Sequence, residues 1–188
     1  MISIRESALA NRVIDADLAL TVSVNRGCQT QCIKAFFAGI SRLGDGVFWY
    51  TLMQLLPLLF GAEGLQTSAK MFVAGLIALA IYKLLKERTG RPRPCAVSPR
   101  ITRGTAPLDE FSFPSGHTLH AVTFSLIVCS AHPGLMPFVV PFAVCVALSR
   151  VILGLHYVSD VVAGAILGLV VVQVADAWIF PLVLDWMA

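Results

Sequence analysis

The sequence has little charge. Only 13% of its 188 residues are Asp, Glu, Lys or Arg, while 57% are hydrophobic and the mean hydropathy is +0.79. An ordinary soluble domain is about one quarter charged and about half apolar. This composition excludes a typical water-soluble domain. We interpret residues 1–188 as a single integral membrane domain built from short spans and tight loops.

Other features are also missing. The first 20 residues lack an uninterrupted apolar stretch and a cleavage site, so we predict no removable signal peptide. The five cysteines are an odd number, which argues against a disulfide framework. Cys28 and Cys32 are four residues apart, but no histidine or second cysteine pair stands near them to complete a zinc site. We therefore predict no metal site and no cofactor.

Apolar runs predict an all-α membrane bundle of five transmembrane helices. The runs cover residues 47–61, 71–85, 118–131, 135–149 and 158–180. Several are shorter than the roughly 20 residues that cross a bilayer, so flanking polar residues must complete them. Gly164 and Gly168 form a GxxxG pair, which we expect to serve packing within the bundle.

The N-terminal part differs from these runs. Residues 1–45 are predicted to be an N-terminal interfacial segment, because residues 32–43 place Ile33, Phe36, Phe37 and Ile40 on one helical face. A sixth, short span in this region remains the alternative.

The one long polar stretch covers residues 86–117. It holds six of the 14 basic residues and five of the 10 prolines. Irregular backbone cannot lie in hydrocarbon without leaving hydrogen-bonding groups unsatisfied. We predict that this active-site loop lies in water or folds over the mouth of the bundle.

Polar clusters stand at the ends of several spans. If the spans alternate in direction, all of these clusters fall on one face of the membrane, and ionisable residues at such depth usually mark function. The clusters are Lys86 and Arg93, then Ser115 and His117, then Arg150, His156 and Asp160.

The residue types point to phosphate chemistry. Three cationic side chains suit an anion, and arginine binds phosphate oxygens with two parallel hydrogen bonds. Ser115 and Gly116 precede a helix and offer backbone N–H groups to an anion. Asp160 lies one helical turn after His156 and can orient its imidazole for nucleophilic attack, while His117 can act as a general acid.

Simpler interpretations exist for the other polar residues. A basic residue at the end of a span usually contacts lipid headgroups. We assign this role, or general attraction of an anionic substrate, to Arg88, Arg91, Arg100 and Arg103. His120 and His132 are expected to be structural, with a supporting role beside the site left open for His120.

The ordered motifs resemble a known family. Residues 86–94 match KxxxxxxRP, residues 114–117 match PSGH, and residues 149–160 match SRxxxxxHxxxD. In this order and spacing they are similar to the signature of the type 2 phosphatidic acid phosphatase (PAP2) superfamily. The resemblance covers residues 86–160.

The resemblance implies a metal-independent phosphatase of a small bacterial type that acts through a phosphohistidine. It implies that His156 is the nucleophile, Asp160 its carboxylate and His117 the general acid. The phosphate-binding residues are then Lys86, Arg93, Ser115, Gly116 and Arg150. The expected substrates are undecaprenyl diphosphate, phosphatidylglycerol phosphate or phosphatidic acid, in contact with the bilayer.

Other functions remain open. A lipid phosphotransferase would use the same residues, and a non-catalytic lipid-phosphate binder or transporter would keep the cations without needing both His117 and His156. A vanadium haloperoxidase shares the motifs but does not fit the mean hydropathy of +0.79. We infer no nucleic acid and no obligate protein partner.

Orientation is ambiguous in the sequence. With five spans, 13 of the 14 basic residues fall on the motif side and only Lys70 on the other. The positive-inside rule would place the motifs in the cytoplasm. The resemblance implies the opposite, and we expect an extracytoplasmic site in a bacterial inner membrane.

Overall fold

The computed structural model describes the backbone of residues 2–187 and the side chains of residues 12–185. Every regular element in this part of the chain is helical, which confirms the predicted all-α class. The α-helices are α1 (Ile2–Asn25), α2 (Gln31–Arg42), α3 (Phe48–Thr89), α4 (Pro94–Val97), α5 (Gly116–Ala131), α6 (Met136–Ile152), α7 (Val158–Trp178) and α8 (Phe180–Met187). Helical turns Arg26–Gln29, Leu43–Val47 and Pro133–Leu135 link some of them.

Helix α3 is a hairpin of two antiparallel helices. It reverses at Gly61, whose backbone lies at φ 59° and ψ −131°. Gly64 then passes so close to the other arm that a Cβ atom there would lie 2.0 Å from the carbonyl oxygen of Leu56. The Ser68 hydroxyl also donates to the carbonyl oxygen of Met53 at 2.8 Å. Residues 48–60 and 62–89 therefore form two spans without a connecting loop.

The apolar helices agree with the predicted spans. Gln31–Thr89, Pro133–Ile152 and Val158–Trp178 are long and apolar enough to cross a membrane, and each contains an 18-residue stretch whose mean hydropathy is 1.7, 2.1 and 2.1, respectively. α5 is a shorter apolar helix of 16 residues. Because α3 contributes two arms, these segments contain five apolar helices, which agrees with the number of predicted spans and with an integral membrane protein.

Helix α2 lies across one end of this bundle. Gly27, just before α2, packs against Ile152, and Gly44, just after it, packs against Val146. The 17 positions from Gly27 to Gly44 (44 − 27), which include all 12 residues of α2, lie beside only six positions (152 − 146) of α6, so α2 crosses α6 obliquely. This placement favours the interfacial interpretation of residues 28–44 over a sixth span.

Helix α1 is also fixed to the motif end. The Asn25 amide donates to the carbonyl oxygens of Thr102 and Ile152 at 2.9 and 2.8 Å. Its own side-chain oxygen accepts from the Thr102 backbone N–H at 2.8 Å. The end of α1 therefore holds the long polar loop against the end of α6.

The interior of the bundle is close-packed. α5 and α7 approach each other where a Cβ atom on Gly164 would meet the carbonyl oxygen of Ser115 at 2.6 Å, so this glycine pair serves packing within the chain. In lipid, such packing and polar contacts replace the hydrophobic effect as the force between helices. His132 is an example, since it is buried, lies 3.1 Å from the Thr67 hydroxyl and stacks on Phe60. Its predicted structural role is confirmed.

Candidate active site

The predicted polar clusters lie at the same end of the bundle. α3 and α6 end there, and α5 and α7 begin there. A cavity of about 460 Å³ lies at this end, bordered by α3, α5, the end of α6 and the polar loop. Six of the eight predicted site residues border it, namely Lys86, Arg93, Gly116, His117, Arg150 and His156. Their chemical roles stay predictions.

The polar loop enters the site as extended chain. α3 ends at Gly90 in the left-handed conformation (φ 56°), and Arg93 is extended (φ −72°, ψ 147°). A single bridge pairs Pro92 with Phe111 on the return segment of the loop. Side chains two residues apart in extended chain lie on the same side. Arg91 and Arg93 therefore both reach the site.

Ser115, which is predicted to bind phosphate, is not among the residues that border the cavity. It is fully buried at the start of α5, where its hydroxyl lies 3.0 Å from the Thr118 hydroxyl. Its backbone N–H donates to the carbonyl oxygen of Asp160 at 3.1 Å. The backbone N–H thus joins α5 to α7, the hydroxyl bonds within α5, and Gly116 borders the cavity; binding of phosphate by Ser115 stays a prediction.

His156 lies at the base of the cavity, only 1% exposed. Its Nε2 atom is 3.2 Å from Nη1 of Arg93, and its Nδ1 atom is 3.5 Å from Oδ2 of Asp160. Arginine can only donate, so Nε2 accepts in this contact and a neutral ring carries its proton on Nδ1. Burial, then the charges of Arg150 and Arg93, hold the pKa of His156 well below its ordinary value. The ring is therefore neutral near pH 7, with a lone pair on the atom that faces the cations.

Asp160 is fully buried behind His156 and is held by two donors. Arg91 donates to Oδ1 at 2.6 Å, and the Tyr157 backbone N–H donates to Oδ2 at 2.9 Å. Arg91 also contacts Asp17 of α1 at 2.8 Å and the Ser159 hydroxyl at 2.7 Å. The assignment of Arg91 to headgroups or substrate attraction is therefore wrong. Its position two residues before Arg93, in a proline-rich stretch that cannot be helical, was the available signal.

Asp109 joins the two cations of the polar loop. Lys86 Nζ lies 2.5 Å from Oδ2 of Asp109, and Arg93 Nη2 lies 2.7 Å from Oδ1. Burial alone would raise the pKa of this carboxyl group, but the hydrogen bonds and charges of Lys86 and Arg93 hold it below its ordinary value. The carboxylate thus occupies the place between two cations where a phosphate group would bind. Asp109 lies outside the predicted motif positions.

Arg150 has unused donor capacity. One guanidinium nitrogen donates to the hydroxyl of Ser41, while Nε is buried and has no hydrogen-bond partner in the described part of the chain. Arg150 borders both the main cavity and an adjacent polar cavity of about 390 Å³. A buried donor without an acceptor is costly, and an anionic ligand would supply that acceptor.

His117, one residue into α5, also borders the cavity. Its Nε2 atom contacts Oδ1 of Asp45, a residue of the turn between α2 and α3. His120, one turn further, is fixed between carbonyl oxygens of Gly116 and Gly75 at 2.8 and 3.2 Å. This supports the structural role expected of His120, although the residue also borders the cavity.

Away from the cations, the cavity becomes apolar. It continues between the two arms of α3 and the face of α5, where its wall is formed by side chains such as Met53, Met71, Leu76, Leu79 and Phe124. A polar pocket that opens into an apolar groove suits a ligand with an anionic head and a hydrocarbon tail.

Comparison with known proteins identifies related sequences. The sequence model of the PAP2 superfamily matches residues 67–183. The decaprenylphosphoryl-5-phosphoribose phosphatase of Mycobacterium tuberculosis is 30% identical over 174 residues, covering 90% of this chain and 94% of the relative. Phosphatidylglycerophosphatase B of Bacillus subtilis is 33% identical over 158 residues, covering 73% of this chain and 70% of the relative.

Solved structures share the fold. The crystal structure of a transmembrane PAP2-type phosphatidylglycerolphosphate phosphatase from Bacillus subtilis superposes with a TM-score of 0.69 at 26% identity, covering 89% of this chain and 86% of that one. LpxE of Aquifex aeolicus gives a TM-score of 0.70 at 20% identity, covering 86% of this chain and 94% of that one. The second comparison concerns the fold alone.

Proposed function

Because this chain belongs to the PAP2 superfamily and is similar to named phosphatases of Mycobacterium tuberculosis and Bacillus subtilis, we propose that it removes a terminal phosphate from a lipid phosphate or diphosphate through a phosphohistidine. One observation carries the proposal. A neutral, buried His156 faces the cavity through Nε2 beside Arg93, with a carboxylate behind its other nitrogen. This arrangement fits a nucleophile more closely than a residue that only binds an anion.

In the first step, the substrate phosphate binds between the cations Lys86, Arg93 and Arg150. Nε2 of His156 attacks phosphorus, a P–N bond forms, and the P–O bond to the lipid breaks. His117 gives its proton to the departing oxygen, so that a lipid phosphate releases a neutral lipid alcohol and a lipid diphosphate releases a lipid monophosphate. Fixed cations stabilise the charge that develops on the equatorial oxygens of the transition state.

In the second step, water attacks the phosphohistidine. Neutral His117 takes a proton from this water as the P–N bond breaks, which restores His156 and releases inorganic phosphate. The same histidine therefore acts as acid in one step and base in the next. Transfer of the phosphoryl group to another alcohol would differ only in the nucleophile of this second step.

We propose that the reaction needs no metal ion. The groups around the phosphate position are cationic or imidazole donors, and the nearby carboxylate of Asp109 is already engaged by Lys86 and Arg93. Such a set repels a divalent cation and supplies directly the positive charge that a metal would otherwise bring.

The apolar groove is proposed to hold the lipid tail. Undecaprenyl diphosphate, phosphatidylglycerol phosphate and phosphatidic acid all combine a terminal phosphate with a long hydrocarbon chain. A prenyl-linked sugar phosphate joins this set, because the Mycobacterium tuberculosis relative is named for such a substrate. We further propose a bacterial inner-membrane location with the site open to the extracytoplasmic side.

The proposal is tested by phosphate release from these lipids in detergent, with EDTA present, by the wild type and His156→Ala. We expect turnover of at least one lipid by the wild type and none by the variant. A substrate labelled in its terminal phosphate should leave acid-labile, alkali-stable label on the wild-type protein only. Undiminished turnover in His156→Ala would exclude the nucleophile, and abolition by EDTA would exclude the metal-free mechanism.

A further inference from the structure

The turn between α2 and α3 is fixed in place on two sides. It is a π-type turn, Leu43–Val47, in which Gly46 has a φ of +134°. A Cβ atom on Gly44 would lie 2.9 Å from Val146 of α6, and one on Gly46 would lie 2.6 Å from the ring of Tyr50. Single π-type turns inside helices occur frequently at functional sites. This one places Asp45 at the edge of the cavity.

Asp45 contacts one catalytic candidate only. Its Oδ1 atom lies against Nε2 of His117, 72 residues further along the chain. Asp45 also borders both the main cavity and the adjacent polar cavity, as Arg150 does. The match to the PAP2 superfamily starts at residue 67, so Asp45 lies 22 residues (67 − 45) before it.

We propose that Asp45 is a positioning residue for the general acid: its carboxylate orients His117 and offsets part of the electrostatic cost of its protonated form. The inference rests on the proposed function. Each histidine of the site then has its own carboxylate, Asp160 behind His156 and Asp45 behind His117. The two carboxylates assist opposite tasks, nucleophilic attack and proton delivery.

Electrostatics explain why His117 needs this carboxylate. Its side chain is only 12% exposed, and Arg150 borders the same cavity. Burial and a nearby positive charge both disfavour an imidazolium ion, whereas an adjacent carboxylate favours it. With Nε2–H bound to Asp45, the proton on Nδ1 is the one free to pass to the leaving oxygen. That proton returns to His117 from water in the second step.

The dependence on the leaving group distinguishes this role from a purely structural one. An alkoxide leaves poorly unless it is protonated, whereas p-nitrophenolate leaves readily without help. Loss of general-acid assistance should therefore slow the cleavage of a lipid phosphate and leave the cleavage of p-nitrophenyl phosphate nearly unaffected. A distorted phosphate site would slow both.

The experiment compares the wild type with Asp45→Asn on both substrates, in the same detergent. We expect kcat on the lipid phosphate to fall by about 100-fold, the lower end of the range for general acid catalysis. We expect KM for the lipid to stay unchanged and kcat/KM for p-nitrophenyl phosphate, which reports the first step alone, to stay within about threefold, since the cations remain. Asp45→Glu should recover part of the lost activity, and Asp15→Asn, an exposed residue of α1, is the matched control.

A double variant completes the test. If Asp45 acts through His117, Asp45→Asn combined with His117→Ala should be no slower than His117→Ala alone. Equal losses on both substrates, or multiplying losses in the double variant, would overturn the role of Asp45 and leave the proposed function intact. A wild type inactive on every phosphate ester would instead overturn the proposed function, and this inference with it.

Discussion

Removing the arginine that holds Asp160 should slow the reaction without weakening phosphate binding. Arg91 donates to this carboxylate at 2.6 Å, and Asp160 is fully buried. In Arg91→Gln, the Tyr157 backbone N–H remains as a donor, and no charge compensates the carboxylate. A buried carboxylate without a counter-charge favours its neutral form. Neutral Asp160 would no longer stabilise the positive charge that develops on His156 during attack.

The size of the effect follows from the bond that is lost. A hydrogen bond to a charged group contributes about 1.5–3 kcal/mol. Since about 1.4 kcal/mol corresponds to a factor of ten in rate, kcat should fall by about 10- to 100-fold if this energy is expressed in the transition state. KM should change little, because Lys86, Arg93 and Arg150 are untouched.

The assay is steady-state phosphate release from the preferred lipid, measured across pH. Activity of Arg91→Gln should recover partly at higher pH, where Asp160 ionises without its arginine. Asp17→Asn should show a smaller loss, since it removes only the outer contact of Arg91. Arg88→Gln, an exposed arginine near the end of α3, is the control. A normal kcat in Arg91→Gln, or an effect confined to KM, would show that Arg91 does not support His156 through Asp160.

Further predictions concern other parts of the molecule. Asp109→Asn should lower both KM and the inhibition constant of orthovanadate, each by about 3- to 10-fold. The reason is that the two ion pairs of Asp109, each contributing up to about 1 kcal/mol, no longer compete with the ligand for Lys86 and Arg93. A higher KM would show that Asp109 orients the cations instead. The low pKa of His156 keeps the proposed nucleophile neutral as the pH falls. The acid limb of the pH profile of kcat/KM should therefore lie below pH 6.5, the ordinary histidine value, and an acid limb near 6.5 would contradict this. With the five native cysteines replaced by serine, Arg100→Cys, but not Gly134→Cys in the turn at the opposite end, should react with a membrane-impermeant maleimide in intact cells; the reverse pattern would place the site in the cytoplasm.

The sequence predicts the membrane class and the placement of the charged motifs well. An ionisable residue at the end of an apolar run must contact other polar groups or water. The positions of the apolar runs were therefore enough to predict that Lys86, Arg93, Arg150 and His156 lie close together. Asp160 was predicted from its spacing to His156, but two other acidic residues of the site were not. Asp109 and Asp45 reach the site through loop and turn geometry that no local periodicity encodes.

The prediction is also incomplete where polar residues are helical. Residues 62–70 interrupt the apolar pattern and fall between the first two predicted spans, yet they form the start of a long helix. The structure accommodates them because Thr67 bonds to Glu63 and His132, and Ser68 bonds to Met53 and Gly64. Partners separated by up to 65 residues decide this, and they are visible only once the helices are packed.

The hairpin of α3 bears on how the protein enters the membrane. Its first arm, residues 48–60, is well below the roughly 20 residues that allow a helix to span a bilayer independently. No loop separates it from the second arm, and Gly64 locks the two together at the carbonyl oxygen of Leu56. We therefore expect the insertion machinery to handle residues 48–89 as one unit, so that the short arm is partitioned into lipid only after the long arm has been synthesised beside it.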